Sequence, residues 1–319
     1  GLPQATAATT VDTQCGSSQQ ATSLAASLIG SGAIDVAIAC GVEVMSRIPI
    51  GINSSKKLGL GVPIPKTYFA EYEMTSQFEG AERIADKYGV TRADTDAFAL
   101  ESQRRAAQAW KEDRFAGQYV EVNAPDLDDE GKPTGTTHLV KRDEGIRDTT
   151  AEGLAGLKPA FRPDGQVTAG NACPLNDGAA AVMVMSDTKA KALGLTPLAR
   201  FVSSGVSSLN PEIMGLGPVE ACRQAMKRAG MSINDIDLVE INEAFAAQVL
   251  PSAKHLGISM DKLNINGGAI ALGHPFGMTG ARIMTTLIHG LQASNKNVGM
   301  ETMCVGGGQG LSMIIERMS

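Results

Sequence analysis

The sequence predicts a layered α/β fold made of two similar halves. Three observations lead there. Thirty-six glycines beside only 4% aromatic residues point to a core of Ala, Val, Ile, Leu and Met in which backbones approach closely at many turns. Strand-like and helix-like stretches alternate near both ends of the chain. In each half a glycine-flanked reactive side chain, Cys15 in the first and His274 in the second, stands before a helix rich in small residues. With 319 residues, 43% of them apolar, the chain has the mass for about two domains of ~150 residues each.

In chain order, a strand is expected near 9–13, then Cys15-Gly16-Ser17-Ser18, then a helix over 19–29. Ala21, Leu24, Ala25, Ala26, Leu28 and Ile29 cover most of that helix, which implies burial on nearly all sides. The apolar run from Ile34 to Ala39, ending at Cys40-Gly41, reads as a buried strand of the parallel type. From about Met45 to Gly170 the texture changes. Pro63-Ile64-Pro65, a charged helical stretch from Phe78 to Lys111 and a polar span from Asp126 to Gly135 read as an inserted loop domain with helices of its own. Strand signals return at Ala179 to Met185. After Leu193-Gly194-Leu195-Thr196-Pro197 come a helix near Val219 to Ala229, a strand at Ile236 to Ile241 and a buried helix from about Thr279 to Leu291. A final hairpin pairs Gly299–Val305 with Leu311–Glu316 across Gly306-Gly307-Gly308-Gln309-Gly310. The expected division is 1–195, with the loop domain at about 45–175, and 196–319.

The formal net charge of −6 and the lack of a basic stripe with interleaved aromatics exclude a general nucleic-acid binder. An anionic ligand must therefore meet a local cluster of positive charge. Five cysteines without CxxC spacing indicate neither a disulfide framework nor a zinc site, and a reducing, cytoplasmic compartment is the simpler reading. No apolar run approaches the ~18 residues that a spanning helix needs. The chain begins at Gly1 rather than at methionine, which is compatible with a removed targeting segment.

Cys15, between a strand and a helix N-terminus, is placed where unpaired backbone N–H groups and the helix dipole favour a thiolate. On position alone a buried structural cysteine fits as well. His274 lies in Gly267-Gly268-Ala269-Ile270-Ala271-Leu272-Gly273-His274-Pro275-Phe276-Gly277, where the backbone lets an imidazole approach a substrate. His138, His255 and His289 lack that setting. Cys304 precedes Val305-Gly306-Gly307-Gly308, whose N–H groups are free to bind an oxyanion. Asn242 and Glu243 follow the apolar strand, at the end where open α/β sheets bind ligands, although Asn242 also fits a helix cap.

Together Cys15-Gly16-Ser17-Ser18-Gln19-Gln20-Ala21, Asn242-Glu243-Ala244-Phe245-Ala246, Gly273-His274-Pro275-Phe276-Gly277 and Cys304-Val305-Gly306-Gly307-Gly308 resemble the thiolase family, over essentially the whole chain. The resemblance implies a five-layer α-β-α-β-α fold of two pseudo-duplicated halves with a loop domain over the active site, assembled as a homodimer or homotetramer. It implies an acyltransferase that cleaves a 3-ketoacyl-CoA with CoA, or runs the reverse condensation, through an acyl group on Cys15. His274 would deprotonate Cys15, and Cys304 would move the proton at the α-carbon. One oxyanion hole would be formed by His274 with a water held by Asn242, the other by the N–H groups of Cys15 and Gly306. Coenzyme A enters as substrate and no cofactor or metal is permanently bound. Arg147, in the stretch from Asp143 to Phe161, is the candidate CoA contact, and Cys173, Met214 and Phe245 are candidate substrate contacts.

The sequence departs from the family pattern at Ser18, where many thiolases have glycine, and at Cys173-Pro174, where serine often stands. The stretch Thr75-Ser76-Gln77-Phe78-Glu79-Gly80-Ala81-Glu82 lacks the His-Met pair of short-chain acetoacetyl-CoA thiolases, which weakens an assignment to two-carbon acyl groups, and the chain more closely resembles actinobacterial-type thiolases, which implies longer or bulkier acyl groups, including steroid-derived ones. Only fourteen residues precede Cys15. The opening strands and helices of the first half are thus expected to be absent, leaving an exposed sheet edge and uncovered apolar faces. A ketoacyl synthase would pair the cysteine with two histidines, whereas Asn242 and Cys304 stand here, and a papain-like hydrolase would have no second active-site cysteine. A non-catalytic acyl-CoA-binding protein or inactive subunit is the alternative from another class.

Overall fold

A computed structural model of the chain describes residues 1–59, 61 and 63–319. Leu60 and Val62, inside the expected loop domain, lie outside the described residues.

A 3-10 turn at Gln14–Gly16 leads into α1 (Ser17–Gly30), followed by β1 (Val36–Val44). The loop region holds α2 (Tyr68–Glu71), α3 (Gln77–Tyr88), α4 (Arg92–Lys111), the hairpin of β2 (Val122–Leu127) and β3 (Pro133–Val140), and α5 (Ala151–Ala155). Next come β4 (Asp177–Met185), α6 (Asp187–Ala192), β5 (Ala199–Ser208), α7 (Gly217–Ala229) and β6 (Leu238–Ile241). The chain closes with α8 (Ala246–Leu256), α9 (Ala269–Leu272), α10 (Phe276–Ala293), β7 (Val298–Val305) and β8 (Gln309–Arg317).

The main sheet has the order β5-β8-β7-β6, antiparallel except for the parallel β6–β7 pair. Its layers follow from alternation along the strands. Val239, Ile241 and Met300 join a core with Val219, Cys222 and Ala225 of α7 and Val249 and Ala253 of α8. Leu238 packs on the opposite face with Met284, Leu287 and Leu291 of α10. Beyond α10 lies the antiparallel pair β1–β4, and α1 lies beside α10. The N–H of Ala281 donates to Ser18 Oγ at 2.9 Å, so the serine that departs from the family pattern ties α1 to α10. Four layers are thus in view: α7/α8, the four-stranded sheet, α1/α10, and β1–β4.

Three local expectations are corrected. Residues 9–13 form no strand, because no other segment lies alongside to accept their backbone hydrogen bonds and they are largely exposed. Helix α1 is buried only along the Ser18, Gln19, Thr22 and Ala25 stripe, with Leu24 and Leu28 exposed, since its far side meets no packed layer among the described residues. Of the run at 34–39, residues 36–39 open β1, which is antiparallel to β4 and has one open face: Ile38 is 45% and Val42 65% exposed. The apolar composition of β1 is that of a strand covered twice, but only its inner face, with Ala39 buried, has a covering layer here.

The charged stretch from Phe78 to Lys111 is two helices. Helix α3 starts at the Ser76 cap and ends at Gly89, in the left-handed conformation, and α4 restarts in a capping box of Thr91 and Asp94. Buried Glu82 of α3 accepts the N–H groups of Gln166 and Val167 at 2.8 and 2.9 Å. That anchors the segment leading to Cys173.

Candidate active site

Cys15 sits in the turn that precedes α1, buried to 4% exposure among Ile283, Met303, Val305 and Leu311. Cys304, near the end of β7, is 1% exposed and packs with Met214, Ala244 and Phe245. The N–H of Cys173 donates to Ala244 O at 3.1 Å, and Ala172 bridges to Phe245, so the third thiol joins the same pocket. Met214, Phe245 and Cys173 are thereby gathered around Cys304.

The resting thiol at Cys15 corrects the expectation of a thiolate. Burial, with the neighbouring Cys304 second, pushes the Cys15 thiol well above its ordinary range, and the N–H groups of Cys15 and Gly306 offset only part of this. A single turn of 3-10 geometry before α1 does not outweigh full desolvation. Burial and then Cys173 push Cys304 up to about 12, and burial and then Cys15 push Cys173 up to about 12. All three sulfurs are neutral thiols at rest. The two backbone N–H groups that favour negative charge on Cys15 belong to the expected oxyanion pair, Cys15 and Gly306. An added Cβ at 306 would lie 1.5 Å from Gln14 Oε1, so the exposed Gln14 side chain covers this glycine closely.

His274, 1% exposed, is delivered by Gly273, whose φ of 92° and close approach to the Asn176 side chain admit no Cβ. Its Nδ1 lies 2.7 Å from Thr279 Oγ1, and that hydroxyl donates to Pro275 O at 2.8 Å. Thr279 has used its hydrogen, so Nδ1 must carry the proton and Nε2 is left with a lone pair. Asn242 Nδ2 donates to that Nε2 at 3.1 Å. Burial, reinforced by the charge of Arg282, lowers the imidazole to about 3, so His274 is neutral at physiological pH. Asn242 is fixed by its N–H to Thr302 O at 3.0 Å and by Gln248 Nε2 donating to its carbonyl at 2.9 Å. Its Oδ1 is buried without a partner among the described residues.

Arg147 stands apart from the thiols. It is exposed, and with Gln103, Thr149, Leu154, Pro174 and Ile270 it lines a cavity of ≈ 250 Å³ between the loop region and α9. Pro174 adjoins Cys173, so the cavity runs toward the thiol pocket. Sequence reasoning missed Thr279, which fixes the histidine tautomer, although its place in the first turn of α10, five residues after His274, was a usable signal. It placed Glu243 with Asn242 at the ligand-binding end of the strand but assigned it no role, since that residue's partners are remote in sequence.

Beneath the site, Glu240 of β6 and Glu301 of β7 are register partners on the face toward α10. Arg282 of α10 brings a buried guanidinium whose two Nη atoms have no hydrogen-bond partner among the described residues. Burial raises Glu240 from 4.5 to about 8, opposed by Arg282. Its native carboxyl holds a proton that the unfolded chain releases near 4.5, so its contribution to stability is present below that pH and lost as pH rises through about 8. Glu240→Gln is therefore expected to gain on the wild type as pH rises, the difference in melting temperature changing by on the order of 5 °C between pH ~5 and ~9. A constant difference across that range would contradict this assignment.

Family models of the thiolase N-terminal domain and the thiolase C-terminal domain match residues 1–188 and 195–317. The chain is 45% identical over 320 residues to a 3-ketoacyl-CoA thiolase of Bacillus subtilis, covering 99% of this chain and 80% of that protein. It is 42% identical over 328 residues to an acetyl-CoA acetyltransferase of Escherichia coli, covering 100% of this chain and 82% of that protein. Among solved structures, human mitochondrial 3-ketoacyl-CoA thiolase aligns with a TM-score of 0.87 at 36% identity, over 100% of this chain and 81% of that one. Bacillus anthracis acetyl-CoA acetyltransferase aligns with a TM-score of 0.85 at 41% identity, over 97% and 78%.

Proposed function

Given that the chain belongs to the thiolase family, matched in both of its domains, we propose that Cys15 is its acyl-carrying nucleophile, His274 its base and Cys304 its second acid–base group. The protein is an acyltransferase with thiolase activity, as its relatives at 42–45% identity over nearly the whole chain are. Nothing favours a non-catalytic role. The observation that carries the assignment of roles is the burial of two neutral thiols, Cys15 and Cys304, within electrostatic reach of each other beneath the N–H groups of Cys15 and Gly306.

In the degradative direction the Cys15 proton passes to His274 Nε2 as Sγ attacks the 3-keto carbon. His274 then presents an Nε2–H donor, which with Asn242 and a water on its Oδ1 would hold the thioester oxygen as it becomes an enolate. The bond between C2 and C3 breaks, its electron pair goes to that enolate, and the Cys304 S–H protonates C2 to release acetyl-CoA. A second CoA thiol gives its proton to the Cys304 thiolate and attacks the acyl group on Cys15. The shortened acyl-CoA departs, and Cys15 recovers its proton from His274. Condensation is the same sequence reversed. Because both thiols and His274 are neutral at rest, the free site carries no standing charge, and only the acyl-enzyme holds a charge pair, the Cys304 thiolate and the protonated His274.

CoA is a substrate in this scheme, and we assign its passage to the cavity beside Arg147. The segment 75–82 without a His-Met pair, and the apolar wall of Met214 and Phe245, support acyl groups longer than two carbons. The division at about residue 195, with a loop domain over 45–175, is retained as part of this reading. Among the described residues no helix is long and apolar enough to cross a membrane. Bacterial relatives and five free cysteines support a cytoplasmic enzyme, and the family resemblance a homodimer or homotetramer. The test is thiolysis of acetoacetyl-CoA and of a longer 3-ketoacyl-CoA with free CoA, followed by loss of ketoacyl absorbance. Faster cleavage of the longer substrate is expected. Preference for acetoacetyl-CoA would overturn the chain-length assignment, and cleavage of neither by a folded protein would overturn the catalytic one.

A further inference from the structure

Glu243, beside Asn242 at the end of β6, is 1% exposed and has no part in the mechanism above. Its carboxylate is fully engaged. Oε2 accepts Ser102 Oγ–H at 2.6 Å and the Ile270 N–H at 3.1 Å, and Oε1 accepts from Asn264 Nδ2 at 2.8 Å. Ser102 Oγ in turn accepts the Gly268 N–H at 3.1 Å. Asn264 Oδ1 accepts the Ile241 N–H, and its Nδ2 also donates to Ile241 O, both at 2.9 Å, so the clasp closes back on β6. A Cβ on Gly268 would lie 2.3 Å from the Glu243 carboxyl carbon, which shows how tightly the loop is drawn against it.

These contacts join three segments. The first is the end of β6, which carries Asn242. The second is the stretch 264–272, which runs through α9 and two residues later delivers His274. The third is α4 of the loop region, where Gln103, next to Ser102, donates to Gly145 O and Ile270 O and accepts the Arg147 N–H. Gln103, Arg147 and Ile270 line the cavity. Both partners of the 3.1 Å contact between Asn242 and His274 therefore hang from chain that Glu243 holds, and the cavity wall hangs from it too. A neutral apolar residue could fill this space, but only an acceptor with several lone pairs satisfies two backbone N–H groups, directly or through Ser102, together with a side-chain amide.

We propose that Glu243 is a positioning residue that sets the Asn242–His274 geometry and couples it to the loop-region wall of the cavity. The proposal rests on the thiolase reading of Asn242 and His274. The charged and titratable groups facing Glu243 are Arg282 of α10, Glu240 of β6 and the Cys173 thiol. Arg282 belongs to the machinery under the site and is left untouched in the test.

The experiment compares wild type, Glu243→Gln and Ser102→Ala in thiolysis with separate kcat and KM, in the rate of Cys15 acylation by acyl-CoA followed by mass spectrometry, and in thermal melting. Glu243→Gln keeps the shape but loses acceptor capacity. It is expected to lower kcat and the acylation rate on the order of 10-fold, with KM for CoA within about twofold. Ser102→Ala removes one donor and is expected to lower both rates by about threefold. A folded Glu243→Gln protein with wild-type kcat and acylation rate overturns the proposal, as does a fall in melting temperature alone. If Glu243→Gln does not fold, Ser102→Ala decides, and an unchanged kcat and acylation rate there overturn it. A folded wild type that cleaves no ketoacyl-CoA overturns the thiolase reading instead, and the proposal with it.

Discussion

Replacing Cys15 with alanine is expected to lower kcat for 3-ketoacyl-CoA cleavage by a factor on the order of 10⁴ or more, leaving a folded protein. The size of the loss follows from the place of the sulfur in the scheme. Without it no acyl group can be carried, so the carbon–carbon bond must break with CoA or water attacking directly. Neither is held beneath the N–H groups of Cys15 and Gly306 as Sγ is. The remaining donors leave some catalysis over solution, as happens when a nucleophile is removed from an intact oxyanion site. Folding tolerates the change. Cys15 packs with Ile283, Met303, Val305 and Leu311, and loss of one buried sulfur from such a cluster costs about 1 kcal/mol. Steady-state thiolysis, a melting curve and mass spectrometry of the protein after exposure to acyl-CoA check all parts together. The variant should melt near the wild type, carry no acyl adduct and turn over no faster than the stated residue of activity. Cleavage within tenfold of wild type would assign the nucleophile elsewhere.

The reach of the sequence depends on how local each signal is. Cys15, Asn242, His274 and Cys304 each stand within a few residues of the glycines or strand that display them, so the set could be found in one dimension. The hairpin of β7 and β8, the helices α7 and α10 and the strand β4 were legible for the same reason. Residues 9–13 were misread because a strand exists only with a partner, and no neighbouring segment is visible in the alternation of Thr, Val and Asp. Helix α1 and strand β1 were read as fully buried because composition reports a preference for burial, while the layers that flank an element decide whether it is met. Likewise, the charge state of Cys15 turned on desolvation by residues up to 296 positions away, such as Leu311, and the local helix end was the weaker effect. Ser102 and Glu243 are 141 positions apart, and only the fold shows that a serine in the loop region completes a clasp behind Asn242.

Cys304→Ala is expected to divide the reaction, because the proton at carbon has no other acid–base group, whereas in acyl transfer Cys304 only exchanges a proton with the CoA sulfur, a task that His274 can take over. The variant should still exchange an acyl group between acyl-CoA and Cys15, since Cys15, the N–H groups of Cys15 and Gly306, and the neutral His274 are untouched. Making or breaking the carbon–carbon bond should fall by about 10²–10⁴-fold, the usual contribution of a positioned acid–base group. Burial pushes the Cys304 thiol up to about 12, so at neutral pH it still holds the proton that the more basic enolate carbon takes, and in condensation it becomes a base only as the thioester α-carbon gives up its proton. Cys304→Ser keeps a donor of similar size but of still higher intrinsic pKa, so its rate should lie between those of the wild type and Cys304→Ala, with kcat/KM reduced by the same factor in both directions. The measurement is acyl labelling of Cys15 by mass spectrometry beside thiolysis and condensation rates for both variants. Loss of labelling in parallel with turnover in a folded Cys304→Ala protein would mean that Cys304 serves the Cys15 acyl step itself. A Cys304→Ser protein no more active than Cys304→Ala would separate the proton transfer from a donor at this position.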